Sequence, residues 1–496
     1  MHELLTPKEM GDADRLSIER GPFSGFQLML RAGSAVTSSI LKIFPAARRV
    51  AVLCGPGNNG GDGYVVAEQL AGSGVETVCF CSARPKPSTD AERAAQNYRD
   101  IVLPLASFRP EGFDLVVDGL FGAGLARDVS GLEKQAIDSV NVKGTTVVAI
   151  DLPSGVSGET GRVLGASLSA ALTVTFFRKK PGHILEPGRS RCGAQILADI
   201  GILPTVLEHI NPRCFENAPA VWGAFLPKPE VMTHKYRRGA VGVFSGGPYS
   251  TGAARLSALA AARSGAGAVT ILSPSDALAI NACHLTSIML RKTDVQDDLT
   301  RILRESKIRS FVLGPGFGDN DKARDFVSLL LQSDMDLVLD ADGITAFEDH
   351  PASLFDLVRE KAWGAVVLTP HEGEFHRVFP KFAMNNAMSK VEKARAAAKL
   401  SNSIIIYKGP DSVIAAPDGR ATINGNGNAY LATAGSGDVL AGVVAGLLAQ
   451  GMPPFEAACA GVWIHAEAGK QFGPGLIAED FPAQLPKVFQ ELLAVG

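Results

Sequence analysis

Apolar residues recur at helical spacing over residues 7–20 and 25–43, then condense into a continuous apolar run at 50–54 that reads as a buried strand. The run leads into Gly55-Pro56-Gly57-Asn58-Asn59-Gly60-Gly61-Asp62-Gly63, after which helical spacing returns over 64–70. Strand, glycine loop, helix is the phosphate-binding first unit of a doubly wound sheet. The loop is neither G-x-G-x-x-G nor a Walker loop, since no Lys-Ser/Thr pair follows it. Its two asparagines add amide oxygens and donors, so it can hold a cation as well as a phosphate. Further strands are expected at 76–81, 114–117 and 147–150, and two of them run into acids, Asp118 and Asp151. Ligands of open α/β sheets bind outside the carboxyl ends of the strands, which is where both carboxylates would stand.

Between 201 and 229 the periodicity fades and prolines gather at 204, 212, 219, 227 and 229. This predicts a linker centred near Asn217 and two domains, 1–217 and 218–496. The second half alternates again, with strands expected at 240–244, 268–272, 310–313, 337–339, 365–368 and 404–407 and a helix over 253–262. A mostly parallel sheet covered by helices follows. No repeat relates the halves, so the reading is α/β with two different doubly wound domains. The glycine-rich stretch at 424–442 places Asp438 where a turn becomes an apolar helix, beside the free N–H groups of Gly435, Ser436 and Gly437. Those groups attract phosphate, and an acid beside them costs electrostatic energy unless it does chemistry, such as activating a hydroxyl that attacks the phosphate. The bland alternative is that Asp438 is an N-cap.

Composition narrows the class. A chain of 496 residues with 46% hydrophobic residues supports two cores, and 48 basic against 51 acidic residues leaves no positive surplus for nucleic acid. The charged N-terminus lacks an apolar leader core, and the longest apolar run, 439–449, is too short to span a bilayer, so no membrane role and a cytoplasmic location are expected. Seven cysteines without C-x-x-C argue against a disulfide framework or a zinc site.

Four motifs in the first half, GPGNNGGDGYVVA, DGLFGAGLARDV, AIDLPSGVSGETG and TFFRKKPGHILEPG, resemble the YjeF-type NAD(P)HX epimerases. The resemblance implies a Rossmann-like domain in which Asn58, Asn59, Gly60, Gly61 and Asp62, with Gly122, Ala123, Gly124, Leu125, Ala126, Arg127 and Asp128, hold the phosphates and ribose of the substrate. It further implies that Asn59, Asp118 and Ser154 ligate potassium and that the catalytic Asp151 stands beside the damaged nicotinamide ring. After Met29 the family usually has an acid, where this chain has Leu30.

In the second half GPG, LDADGI, LTPHEGEF, YKGPDS and NGNGNAYLATAGSGDVLAG resemble the ribokinase-like superfamily and, within it, the ADP- or ATP-dependent NAD(P)HX dehydratases. By that resemblance Asp438 is the catalytic base and the turn ending in Gly437 is the anion hole. Lys408, Gly409, Pro410, Asp411 and Ser412 meet the nucleotide. Ala253, Gly316 and His371 line the NAD(P)HX side, and Glu374 acts through magnesium-bound water. Taken singly, each has a bland reading that is the commoner one: His371 as a buried structural histidine, Glu374 as a surface acid and Lys408 as a strand-end charge.

Together the halves imply a bifunctional repair enzyme acting on NADHX and NADPHX with ADP as donor, using K+ and Mg2+, and forming a homo-oligomer. The alternatives are a ribokinase-class small-molecule kinase fused to a dinucleotide-binding module, and a nucleotide-binding scaffold without turnover.

Overall fold

A computed structural model describes residues 2–228 and 230–494. Pro229, one of the five prolines of the expected linker, lies outside them. The chain divides into two compact units, Glu3–Cys214 and the remainder from Phe215 onward.

The first unit opens with the helices Pro7–Arg20 and Gly25–Ile43, each started by a reciprocal capping box, Thr6 with Glu9 and Ser24 with Gln27. Its strands are β1 (Arg49–Cys54), β2 (Glu76–Cys81), β3 (Val102–Pro104), β4 (Leu115–Gly119), β5 (Thr146–Ile150), β6 (Leu172–Phe176) and β7 (Ala194–Ala198). They form one sheet in the order β3-β2-β1-β4-β5-β6-β7, parallel throughout, which is the Rossmann arrangement with one strand added. Successive β1 residues serve opposite cores: Val50 and Val52 pack with the two N-terminal helices, Ala51 and Leu53 with the other face. Burial on both faces explains why the strand shows no polar alternation. The edge strands β3 and β7, and β6 beside β7, are not among the expected elements.

One expectation is corrected here. The asparagine–glycine segment is not a loop but the opening of a helix, Asn58–Gly72. Glycine disfavours helix, yet tertiary contacts require it at two of these positions. A Cβ on Gly60 would sit 1.9 Å from the Gly55 carbonyl oxygen, and one on Gly61 would sit 2.6 Å from Cε of Met29.

The second unit carries β8 (Cys214–Asn217), β9 (Ala240–Phe244), β10 (Ala268–Ser273), β11 (Met289–Lys292), β12 (Ser310–Leu313), β13 (Asp336–Leu339), β14 (Val366–Leu368), β15 (Ile404–Tyr407), β16 (Val413–Ala415) and β17 (Ala421–Asn424). The order is β11-β10-β9-β12-β13-β14-β15-β16-β17-β8, parallel from β11 to β15 and antiparallel across β15-β16-β17. The helix Ser436–Ala449 packs on Thr251–Arg263 with almost no gap: a Cβ on Gly442 would lie 2.1 Å from the Ser257 carbonyl oxygen. That close crossing fixes where the helix begins, and so where Asp438 stands.

The expected linker is largely regular structure, with helices Val206–Ile210 and Pro219–Trp222 flanking β8. Asn217 itself is buried, donating to Asn424 Oδ1 at 3.1 Å and the Cys459 carbonyl at 2.8 Å while accepting from Trp222 Nε1 at 3.1 Å. Of the prolines that suggested a linker, Pro219 opens the helix Pro219–Trp222. Among the described residues no helix is long and apolar enough to cross a membrane.

Candidate active sites

In the first unit a cavity of about 740 Å³ opens where strand order reverses, at the carboxyl ends of β1 and β4. Of the residues expected to meet substrate, Asn58, Asn59, Asp62, Gly122, Ala123, Gly124, Leu125, Ala126, Arg127 and Asp151 line it. Gly60, Gly61 and Asp128 do not; the two glycines are buried against neighbouring backbone and Met29, and Asp128 is exposed.

Asp151 follows β5 with φ +63°, a conformation costing about 1–3 kcal/mol that persists only where its surroundings enforce it. They do. Lys180, 2% exposed, donates to Asp151 Oδ1 at 2.6 Å, Thr175 Oγ1 donates to the same oxygen at 2.9 Å, and the Ala123 N–H reaches Oδ2 at 3.2 Å. His183 Nδ1 accepts the Lys180 N–H at 3.0 Å, so its Nε2–H donates to the Asp151 carbonyl at 2.7 Å. Burial alone would raise the Asp151 carboxyl, but the Lys180 charge and these hydrogen bonds hold it at about 2. Burial also pushes His183 down to about 4, so it is neutral.

Asp14 and Asp62 are further acids facing the same cavity. Burial raises Asp14 to about 6, with Lys180 opposing and Asp151 adding to the rise, and burial with Asp151 and Asp14 raises Asp62 well above the usual range. Sequence reasoning missed Lys180, although it lies in a motif quoted above, and missed Asp14, which looks like any polar residue of an amphipathic helix.

Asp118 is wholly buried and meets Ser154, whose N–H and hydroxyl donate to it at 2.7 and 2.5 Å. Ser154 Oγ also accepts from the Phe121 N–H at 2.8 Å and lies 3.1 Å from the Phe121 carbonyl oxygen. Burial raises Asp118 to about 6. The Asn59 side-chain amide nitrogen is buried without a partner, and a 180° turn of that amide would present its oxygen instead. An all-oxygen set of carboxylate, hydroxyl, carbonyl and amide fits a hard monovalent cation.

In the second unit the strand ends converge. Lys408, after β15, pairs with Asp340, after β13, at 2.6 Å and approaches Glu374 Oε2 at 3.9 Å, while Thr369 Oγ1 donates to Asp340 at 2.6 Å. Burial opposes the Lys408 charge, but Asp340 and Glu374 outweigh it and raise its pKa. Burial raises Glu374 as well. His371 caps the helix Glu372–Val378, Nδ1 accepting from the Gly373 and Glu374 N–H groups, and Glu374 Oε2 accepts the His371 N–H at 2.8 Å. His371 is exposed and Glu374 buried, the reverse of the bland expectations for both.

The helix Ser436–Ala449 brings its N-terminus to this pair: a Cβ on Gly437 would lie 3.5 Å from both Asp340 Oδ2 and Lys408 Nζ. Its N-cap is Gly435, with φ +88°, so Asp438 lies within the first turn and is not the cap. Burial, then Asp340, raises Asp438 to about 6, with Lys408 opposing. Gly316 lies against Ala253, and Gly314 against the Asp340 backbone. In the turn after Lys408, Ser412 closes on Gly409, while Asp411 is engaged by Lys390 at 2.6 Å, which makes it the anchor of the turn. Pro410 abuts Gly427. Asp340 was missed as a site residue because a motif acid at a strand end gave no hint that it would hold Lys408.

Three carboxylates, Asp340, Glu374 and Asp438, surround one lysine. That surplus of negative charge fits a magnesium ion held by one or two carboxylates and nucleotide phosphates.

Residues 241–484 match the family model described as NAD(P)H-hydrate dehydratase, and residues 25–182 match that described as YjeF-related protein N-terminus. The bifunctional NAD(P)H-hydrate repair enzyme Nnr of Moorella thermoacetica is 36% identical over 99% of this chain and 97% of its own. The Escherichia coli enzyme of the same name is 30% identical, over 93% and 89%. A crystal structure of a ribokinase-like superfamily protein from Enterococcus faecalis shares the fold over 56% of this chain and 96% of its own, with TM-score 0.50 and 23% identity.

Proposed function

The chain belongs to the family of bifunctional NAD(P)H-hydrate repair enzymes, and from that premise we propose how its two units divide the work. The first unit, an epimerase, interconverts (R)- and (S)-NAD(P)HX, with Asp151 beside C6 of the hydrated ring. When the C6 substituent leaves, the ring becomes cationic, and an ionised carboxylate next to it lowers the energy of that species. Lys180 and Thr175 keep Asp151 ionised and aimed, and neutral His183 fixes its backbone. Asn58, Asn59 and the segment from Gly122 to Arg127 hold the ribose and phosphates. Potassium, held by Asn59, Asp118 and Ser154, would brace the two substrate-binding segments against each other.

The second unit is the dehydratase, with ADP as donor. The C6 hydroxyl oxygen of (S)-NAD(P)HX bonds to the β-phosphorus, the bond to the bridging oxygen breaks, AMP leaves, and Asp438 takes the hydroxyl proton. Phosphate then departs from C6 with the bonding pair and C5 loses a proton, giving NAD(P)H. The free N–H groups at the helix start hold the moving phosphoryl group, and the turn at 408–412 meets the nucleotide. Ala253, Gly316 and His371 line the substrate side. Magnesium near Glu374 would neutralise phosphate charge. The protein acts in the cytoplasm.

The observation that carries this reading is the contrast between Asp151, held ionised by a buried lysine inside a dinucleotide-sized cavity, and Asp438, with its raised pKa at a glycine-led helix start. A kinase fused to a binding module would need no such clamped acid in its first half. Incubation with NADHX epimers and ADP, following the absorbance of reduced nicotinamide, tests it. Both epimers should be converted in full, with one AMP released per NADH; a stable phosphorylated product would favour the kinase instead.

A further inference from the structure

The helix that carries Asp438 begins without a side-chain cap. Gly435 at its N-cap supplies no acceptor, and Gly437 follows within the first turn. Glycine is the residue most free to leave helical geometry, and first turns fray, yet a phosphoryl-binding turn works only if its donors are fixed before the reaction. Something outside the helix must hold this turn.

Two contacts do so. Ser257 Oγ donates to the Asp438 carbonyl at 2.7 Å, from the neighbouring helix. His465, on the helix Pro454–Phe472, places Nε2 3.0 Å from Ser436 Oγ, the residue between the two glycines. Its ring lies nearly parallel to Phe481, centroids 4.6 Å apart and planes 13° apart, and is 6% exposed. Ser436 is equally buried, so its hydroxyl is spent on the protein and not on the crevice.

We propose that His465 is a positioning residue for the phosphoryl step: anchored on Phe481, it holds Ser436 and thereby the N–H groups of the turn that receives the moving phosphoryl group. The inference rests on the dehydratase reading above. Burial keeps His465 neutral, its pKa pushed down to about 4, so its action is geometric and adds no charge to the anion site.

The test is steady-state NADHX dehydration by the full chain and four variants: Ser436→Ala, His465→Phe, the double variant and His465→Gln. Loss of the bond displaces donors without removing them, so Ser436→Ala and His465→Phe should each lower kcat by about 10- to 10²-fold, with KM for NADHX changed far less. The double variant should be no slower than the slower single one. His465→Gln, whose amide can reach Ser436, should recover most of kcat. Ser436→Ala removes only a hydroxyl, so it speaks to the inference even if a histidine variant folds poorly. Wild-type kcat in both single variants, or fully additive losses in the double, would overturn the proposal. A parent enzyme that fails to turn over NADHX with ADP would instead sink the dehydratase reading itself.

Discussion

Asp151 and Asp438 are the acids to which we assign the chemistry of the two units, and the protein keeps them in opposite electrostatic states. Asp151 accepts three hydrogen bonds, one from a buried ammonium, and is held at about 2. Among the described residues none donates a hydrogen bond to the Asp438 carboxylate, which is raised to about 6. The difference suits the two tasks we propose. A carboxylate that stabilises a transient cation must stay ionised whatever the ring does, whereas a base that removes a hydroxyl proton gains driving force from a pKa nearer the working pH. The neighbours enforce this: Lys180 serves Asp151 directly, while Lys408 is turned to Asp340 and only partly offsets burial at Asp438.

The sharpest way to break the comparison is Asp438→Asn. Dehydration should fall by about 10² or more while ADP still binds and epimerisation is untouched. Near-parental turnover would return Asp438 to a structural role.

Lys180→Met should come next. Leaving Asp151 buried without its partner costs about 3–5 kcal/mol by analogy with broken buried pairs, unless the acid takes up a proton. Epimerisation should drop by about tenfold or more and acquire an acid limb near neutrality, because the carboxyl then rises as burial alone dictates. An unchanged pH profile would show that the clamp does not set the ionisation of Asp151.

In the parent protein, pH should separate the two activities without mutation. Dehydration kcat/KM should fall as pH drops through about 6, where Asp438 protonates, while Asp151 imposes no limb there. The stability contributions run in opposite directions. Asp438, raised when folded, stabilises below the ordinary carboxylate value of about 3.9 and loses that contribution as pH rises through about 6. Asp151, depressed when folded, stabilises above about 3.9 and loses its contribution as pH falls toward 2. Dehydration without an acid limb near 6 would contradict the role assigned to Asp438.

A smaller effect is expected from the cation. Epimerisation should be faster in potassium than in a large organic cation, dehydration rates aside, and Asp118→Ala should abolish the difference; equal rates in both salts would remove the ion from the first unit. Smallest should be the cost of separating the units after Cys214. Cutting after Asn217 instead strips Trp222, Asn424 and Cys459 of a buried partner, and the fragment from 218 should unfold at lower temperature than the fragment from 215. Equal midpoints would show that the Asn217 contacts carry no stability.

Periodicity and strand-end motifs made the central parallel strands of both sheets legible in the sequence, together with the position of Asp151 after a strand and of Asp438 at the start of an apolar helix. Those features are local: an apolar run long enough to cross a sheet ends where its chemistry begins. Asp14 and Lys180, by contrast, come from opposite ends of the first unit, and Asp340 and Lys408 from different strands. No local pattern marks a residue whose role is to meet another one. The glycines of residues 58–63 show the same limit from the other side. Sequence reads them as a flexible loop because glycine lowers helix propensity, while the fold uses them as helix because only hydrogen atoms fit against Gly55 and Met29. Composition and spacing thus determined which elements form and which acids lie at their ends. Only the packed structure decided which acid is clamped by an ammonium and which is left to take a proton, because a pKa is set by burial and by charges brought near across the fold.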